Sequence, residues 1–203
     1  MYLAGRWPDR QLSRLELAVV VIVLSLILLL SIQQMLKLFA RAESSMLATS
    51  VMNINTALQY RAAWYMLNAD YAALEAMQGM NPFDLGAADP AGWLKQASGK
   101  GASRQMLTGL VDIRLPANYH GALDNTDPEE VAGGDWYFDR RTDRLVYRVN
   151  NTEYFAGDFP GPARVEFTVD IDYNDRNENN RFEPGIDEYH NIRLRAFNNY
   201  TWQ

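Results

Sequence analysis

The sequence predicts an α+β protein in which a long N-terminal helix, half of it transmembrane, packs on a C-terminal antiparallel sheet. Three observations lead to this prediction. Residues 17–36 carry no charge, the residues after them repeat apolar side chains every three or four positions, and beyond residue 110 the apolar repeat shortens to two. The chain has 203 residues, which leaves room for one folded domain besides the anchor.

The transmembrane helix is predicted at Leu17–Leu36, after a polar segment at residues 1–16. A helical run of this length spans about 30 Å, the thickness of the hydrocarbon core of a bilayer. Three arginines precede the run, and two basic residues, Lys37 and Arg41, follow it. This slight excess favours an N-terminus on the cytoplasmic side.

A cleaved signal peptide is the alternative to a retained anchor. Ala40-Arg41-Ala42 has the spacing of small residues that a signal peptidase reads, and cleavage there would start the mature chain at Glu43. However, the apolar run is longer than the apolar region of a typical signal peptide, and the helical pattern continues through the cleavage position. We therefore expect a retained single-pass anchor.

The anchor is predicted to continue as an amphipathic helix over residues 37–78. Its apolar side chains form one stripe at spacings of three and four: Leu47, Val51, Ile54, Leu58, Ala62 and Tyr65. A stripe of this kind is buried against a core. Gly79 and Pro82 are expected to end the helix.

Residues 79–203 are predicted to form a loop followed by an antiparallel sheet. The stretch from Pro82 to Gly109 is rich in Gly, Pro and Ala, which is typical of a loop. Strands are expected where apolar and polar residues alternate: Leu110–Leu115, a hairpin of Trp136–Asp139 and Leu145–Val149, a strand over Val165–Ile171 and a last strand over Ile192–Ala196. The helix stripe is expected to cover the apolar face of this sheet at Val165, Phe167 and Val169.

The charge distribution argues against nucleic acid as a partner. The net charge of −6 divides into +3 for residues 1–42 and −9 for the rest of the chain. A domain this acidic repels a phosphate backbone. The chain also has no cysteine, which removes disulfides, thiolate metal sites and a cysteine nucleophile.

The residues that an enzyme would need are not found together in the sequence. The two histidines, His120 and His190, are far apart and lack the carboxylate spacing of a zinc site. Neither a nucleophile elbow nor a phosphate-binding glycine loop is present. We therefore expect no catalytic activity.

An acidic loop near the C-terminus is the candidate metal site. Asp175, Asn177 and Asn179 place oxygen-bearing side chains at alternate positions. Arg181 could add its backbone carbonyl, and Asp187 follows the Pro184-Gly185 turn. Alternating oxygens closed by a later carboxylate are what Ca²⁺ requires, so the loop predicts calcium binding. The alternative is a solvated turn, because Asp and Asn favour turns without any ligand.

The N-terminus resembles the type IV pilins and pseudopilins. Leu12-Ser13-Arg14-Leu15-Glu16-Leu17 places one glutamate directly before the apolar run, where that family has its mature N-terminus. Further along, Leu115–Tyr119 and Gly134–Asp139 are similar to segments of pilin-like biogenesis proteins of the MSHA (mannose-sensitive haemagglutinin) pilus. The resemblance implies a type IV pilin-like fold, an inner-membrane anchor, a periplasmic domain and a role in assembling an MSHA-type pilus.

The same resemblance implies the partners: other pilin-like subunits, the pilus or secretion machinery, and membrane lipid. It assigns Glu16 to subunit assembly, in which this acid pairs with the N-terminal amine of a neighbouring subunit. Two positions depart from the family: its processing peptidase requires Gly where this chain has Gln11, and Arg14 places a charge where the family is usually apolar. We therefore expect an unprocessed N-terminus. The alternatives are a pseudopilin of type II secretion and a membrane-tethered, calcium-binding receptor or adhesin.

Overall fold

The computed structural model describes residues 14–83, 116, 118–124 and 126–203. The predicted strand Leu110–Leu115, nearly all of the predicted loop from Pro82 to Gly109, and the N-terminal segment up to residue 13 lie outside these residues. The chain divides into two compact units, Met1–Phe39 and Ala40–Gln203.

Helix α1, Arg14–Leu67, contains both the predicted anchor and most of the predicted amphipathic helix. In the first unit the large apolar side chains from Leu15 to Phe39 are exposed. Among the described residues, α1 is the one helix that is long and apolar enough to cross a membrane. Exposed apolar surface of this extent is stabilised by lipid or by protein partners rather than by water.

The amphipathic helix ends earlier than predicted. α1 stops at Leu67, and the short helix α2, Tyr71–Glu75, follows after a turn in which Ala69 has a φ of 54°. Asp70 starts α2 as its N-cap and accepts a hydrogen bond from the Ala73 N–H at 3.2 Å. Asn and Asp side chains compete with the backbone for hydrogen bonds, so Asn68 and Asp70 favour a turn over a helix interior.

The described residues of the second unit form seven strands in two sheets. The strands are β1 Tyr119–Leu123, β2 Trp136–Asp139, β3 Arg144–Arg148, β4 Phe155–Gly157, β5 Arg164–Asn174, β6 Glu188–Ala196 and β7 Tyr200–Trp202. The larger sheet has the order β1-β2-β3-β5-β6, and β4 pairs with β7 in a separate ribbon. The predicted hairpin is confirmed as β2 and β3, and the two predicted C-terminal strands are confirmed as β5 and β6.

The sheet is not wholly antiparallel, because β1 pairs with β2 in parallel. Residues 124–135 carry the chain back to the start of β1 before β2 begins, and a crossover of this length permits parallel pairing. The ribbon of β4 and β7 was also not predicted. Each of its strands has three residues, which is too short for an alternating pattern to be recognised.

The helix stripe covers the sheet as predicted. Leu47, Ile54 and Leu58 of α1 belong to one buried cluster that also contains Val165, Phe167 and Val169 of β5. Val51 and Tyr65 pack against this cluster while remaining partly exposed. Burial of aliphatic side chains at about 25 cal/mol per Å² of apolar surface is the main force that holds helix and sheet together.

Candidate functional site

The acidic loop connects β5 to β6 and is folded around Asp175. The Asp175 carboxylate accepts hydrogen bonds from the backbone N–H groups of Asn179, at 3.2 Å, and Asn180, at 2.6 Å. Glu178 and Asn180 have φ values of 57° and 58°, the left-handed region in which the chain reverses direction tightly. Asp175 therefore closes the turn at the tip of the loop.

Asp187 joins the two ends of the same loop. Its side chain is buried, and its two oxygens accept hydrogen bonds from the N–H groups of Arg176, at 3.0 Å, and Glu183, at 2.7 Å. Burying a carboxylate is costly unless hydrogen bonds replace its lost water. Asp187 therefore determines the shape of the loop whether or not a ligand is present.

Asn177 and Asn179 converge on Glu183. Their side-chain amides donate to the same Oε2 of Glu183, at 2.6 Å and 2.8 Å. Their own Oδ1 atoms accept from backbone N–H groups within the loop. The fold thus places Asp175, Asn177, Asn179 and Asp187 in one compact loop and adds Glu183 to them.

The Arg181 side chain leaves this loop. Its guanidinium lies 2.5 Å (Nη2) and 3.1 Å (Nε) from Oε1 of Glu75 in α2. Ion pairs between side chains this exposed contribute little free energy, on the order of 1 kcal/mol or less. The pair nevertheless connects the loop to α2. It involves only the Arg181 side chain, so the backbone carbonyl that was predicted to bind calcium is not used by it.

The acidic loop carries donors of the type predicted for calcium, but they are not arranged around a common point. Carboxylate and amide oxygens are the ligands that Ca²⁺ prefers. Within the part of the chain that the structure describes, no three His, Cys, Asp or Glu side chains are grouped to hold a metal ion. A calcium ion here would therefore need asparagine and backbone oxygens, and the amides of Asn177 and Asn179 would have to turn from Glu183 towards the ion.

Glu16, the predicted assembly residue, lies in the first turn of α1 and is exposed. Backbone N–H groups at a helix N-terminus favour a nearby negative charge.

A second acidic residue of α1, Glu43, is buried, and the sequence analysis did not find it. Its Oε1 accepts hydrogen bonds from the Tyr147 hydroxyl, at 2.9 Å, and from the Asn150 N–H, at 2.7 Å. Its Oε2 accepts from the Asn151 N–H, at 2.9 Å, and from the Asn151 side-chain amide, at 2.6 Å. These four hydrogen bonds join α1 to β3, through Tyr147, and to the turn that follows β3, through Asn150 and Asn151.

One sequence signal could have revealed this role. Glu43 precedes Leu47 by four positions and follows Ala40 by three, so it continues the apolar stripe of α1. A charged residue at a position of the apolar stripe either interrupts the buried face of the helix or is itself buried with its hydrogen bonds satisfied. In the structure Glu43 is buried and accepts four hydrogen bonds.

The turn that binds Glu43 is also packed tightly against Gly133. A Cβ on Gly133 would lie 2.9 Å from the Cα of Asn150, so no larger residue fits there without movement. Gly134 donates a hydrogen bond to the Arg148 carbonyl at 2.7 Å. Close packing against Gly133 and hydrogen bonds to Glu43 thus both constrain the Asn150–Asn151 turn.

Burial and the neighbouring carboxylate keep Tyr147 neutral. Removal from water raises the pKa of the Tyr147 hydroxyl, and the negative charge of Glu43 and the hydrogen bond to it raise this pKa further. The hydroxyl therefore stays a donor to Glu43 well above the pH at which tyrosine ordinarily ionises.

The two histidines remain separate in the fold. His120 Nε2 lies 2.7 Å from Oδ2 of Asp135, and this pair links β1 to the residue before β2. His190 is exposed on β6.

Searches against family models, curated proteins and solved structures found no match to this chain.

Proposed function

We propose that this protein is a membrane-anchored structural subunit, a minor or accessory pilin-like component that assists the biogenesis of an MSHA-type pilus. The observation that carries the proposal is that the two halves of α1 have different surroundings. Its first half exposes a continuous apolar surface, and its second half holds a folded sheet domain through a buried stripe. This arrangement suits a subunit that is held in a membrane while its domain meets other proteins.

The outer face of the second half of α1 also supports an assembly role. Residues 44–60 contain no charged side chain, although Met46, Met52 and Tyr60 are exposed there. An exposed helix face normally carries charges. Small and hydroxyl-bearing residues at Ser45, Ala48 and Thr49 would allow another helix to approach closely, as small residues do between packed helices.

In this proposal the folded domain lies in the periplasm and the N-terminus in the cytoplasm. The partners are other pilin-like subunits, the assembly machinery and membrane lipid. Glu16 is the residue proposed to pair with a neighbouring subunit. A pseudopilin of type II secretion would use the same surfaces, and the identity of the captured subunits distinguishes the two systems.

Site-specific photo-cross-linking tests the assembly role. A photoreactive residue in place of Leu28, in the exposed apolar half of α1, is expected to capture pilin-like subunits in intact cells. The matched control carries the same group in place of Ile186, an exposed apolar residue of the acidic loop. Adducts to lipid alone at position 28, or identical protein adducts at both positions, would count against an assembly subunit.

Calcium binding by the acidic loop is a second proposal, and it would suit a tethered receptor or adhesin as well as a pilin-like subunit. It is supported by the convergence of Asp175, Asn177, Asn179 and Asp187, with Glu183, in one loop. A metal that binds only the folded state stabilises it by RT ln(1 + [L]/Kd), about 2.7 kcal/mol at a hundredfold excess over Kd.

The calcium proposal is tested by thermal unfolding of the full chain in detergent with Ca²⁺ or with a chelator. Ca²⁺ is expected to raise the Tm. Asp175→Asn should remove this rise, whereas Asp143→Asn, at the β2–β3 turn, should keep it. A Tm that does not change at millimolar Ca²⁺ would show that the loop is a solvated turn.

A further inference from the structure

A sequence that signal peptidase could cut lies inside α1. Ala40-Arg41-Ala42 has the required spacing of small residues, and it follows the apolar run by a few positions, as a cleavage site does. Proteolysis occurs at exposed, locally unfolded backbone. The helix, however, is continuous from Arg14 to Leu67. The bond after Ala42 can therefore be cut only when this part of α1 has opened.

The folded domain also covers the residues around this bond. Ala40, the third residue before the cleavage position, is 1% exposed, and Glu43, the residue directly after it, is 7% exposed. Ala42 itself is exposed. A peptidase that reads the small side chain of Ala40 would have to displace it from the folded protein first.

The Glu43 contact opposes this opening. We use the name for the four hydrogen bonds that the Glu43 carboxylate accepts from Tyr147, Asn150 and Asn151. Unwinding residues 40–43 would move the carboxylate away from these donors. Because a buried carboxylate and its donors are costly to leave unpaired, the opened state is rare while the domain is folded.

The donors of the Glu43 contact come from a distant part of the chain. Tyr147 and Asn151 follow Glu43 by 104 and 108 positions, so the contact forms only when the C-terminal sheet has folded on α1. The apolar run before the site is longer than that of a typical signal peptide, and we expect cleavage to be slower than this folding. Retention of the anchor then depends on the folded state of the domain.

We propose that the Glu43 contact protects a latent signal-peptidase site, so that the folded domain stays joined to the membrane segment and an opened domain is released. The bond that breaks is the peptide bond between Ala42 and Glu43. Water hydrolyses it, which leaves a carboxylate on Ala42 and an ammonium group on Glu43. The proposal rests on the export of the domain that the proposed function includes, because signal peptidase acts on that side of the membrane, and it does not depend on the assembly role.

Variants that weaken the Glu43 contact without altering residues 40–43 test this proposal in the cells that make the protein. Tyr147→Phe combined with Asn151→Ala removes the hydroxyl and the side-chain amide, two of the four donors. The amount of soluble chain that begins at Glu43 is expected to rise by about tenfold or more over the parent, because proteolysis follows the population of the opened state. Tyr137→Phe, at a buried tyrosine of the adjacent strand β2, is the matched control and should stay in the membrane.

Ala42→Leu, added to the double variant, identifies the protease. A small residue is required directly before the cut, so this change should abolish release. Release that persists with Ala42→Leu would overturn the proposal, as would equal release from the double variant and either the parent or Tyr137→Phe. A double variant that is not cut would overturn it as well. Cross-linking from position 28 would still capture pilin-like subunits in that case, which distinguishes this failure from failure of the assembly role.

Where the double variant does not fold, amide hydrogen exchange on the full chain in detergent decides. The amides of residues 42–44 are expected to exchange slowly in the parent and about tenfold faster in Tyr147→Phe, with no change in Tyr137→Phe. Exchange in the parent at the rate of an unprotected amide would overturn the proposal. Equal exchange in all three chains would also overturn it, because the Glu43 contact would then not control the opening.

Discussion

At the scale of single residues, Glu43 connects the helix to β3 and the turn after it by four hydrogen bonds to one buried carboxylate. A buried carboxylate with four donors is stable only while all of them are in place, because each unmatched group then carries its full desolvation cost. The acceptor capacity of Glu43 is divided evenly between its two oxygens. An amide cannot reproduce this pattern, since one of its two groups is itself a donor.

Glu43→Gln is therefore expected to destabilise the protein. The side-chain NH2 group of the glutamine would take the place of one carboxylate oxygen and would meet two hydrogen-bond donors without an acceptor. We expect the free energy of unfolding to fall by about 2–4 kcal/mol. Thermal or urea unfolding of the full chain in detergent measures this loss. Glu153→Gln, on an exposed turn beside the Asn150–Asn151 turn, is the control and should change stability by less than about 0.5 kcal/mol.

Buried tyrosines make the stability depend on pH at alkaline values. Burial is the main cause that raises the pKa of Tyr137 to about 12, and the nearby Arg164 partly opposes it. In the unfolded chain a tyrosine titrates near pH 10. The stabilisation from neutral Tyr137 is therefore complete below about pH 10 and is lost as the pH rises towards 12.

The Tm of Tyr137→Phe should consequently decrease less between pH 9 and 12 than the Tm of the parent protein. The ring and its packing are kept, and only the ionisable group is removed. Tyr60→Phe, on the exposed face of α1, should leave the slope unchanged. A Tm that falls equally steeply in the parent and in Tyr137→Phe would show that Tyr137 does not contribute to this linkage.

At the scale of elements, the stripe of α1 is the cover of the sheet. Leu58 is 1% exposed and belongs to the same cluster as Phe167 and Val169. Leu58→Ala is expected to cost about 2–5 kcal/mol, the range for truncating a buried leucine. Met52→Ala, on the outer face of the same helix, should cost far less, and equal losses for the two variants would mean that the stripe does not face the sheet.

The elements that the sequence predicted are those with a long, regular pattern. The stripe of α1, the hairpin of β2 and β3, and the alternation of β5 each extend over enough residues for periodicity to determine their type. The three-residue strands β4 and β7 offer no such pattern. The parallel pairing of β1 depends on where a crossover returns the chain, which local sequence does not encode.

The sequence likewise predicted only those candidate site residues that lie close together along the chain. Spacing alone predicted the grouping of Asp175, Asn177 and Asn179, because all three belong to one short loop. The buried Glu43 and Asn55, whose side chain accepts a hydrogen bond from the Leu194 N–H, have partners about a hundred residues or more away along the chain. Contacts of this kind become visible only when the helix is placed on the sheet.

At the scale of the whole molecule, attachment of the folded domain to a membrane requires that the apolar segment at residues 17–36 is retained. Cleavage after Ala42 would place a new ammonium group on Glu43, whose side chain is 7% exposed. It would also remove Ala40, which is 1% exposed in the second unit. A free charged terminus at this position would need solvation that the packed turn does not offer.

The retained anchor is the central claim, and the mass of the mature chain tests it most directly. The protein is extracted from the membrane fraction of its own cells, and its intact mass and N-terminal sequence are determined. We predict a membrane-bound chain that contains residues 17–36 and begins at Met1, because Gln11 stands where the type IV pilins that the N-terminus resembles have the glycine required for processing. A chain that begins at Glu43 and is found in the soluble fraction would contradict the anchor itself, and a membrane-bound chain that begins at Leu12 would contradict the expected lack of processing.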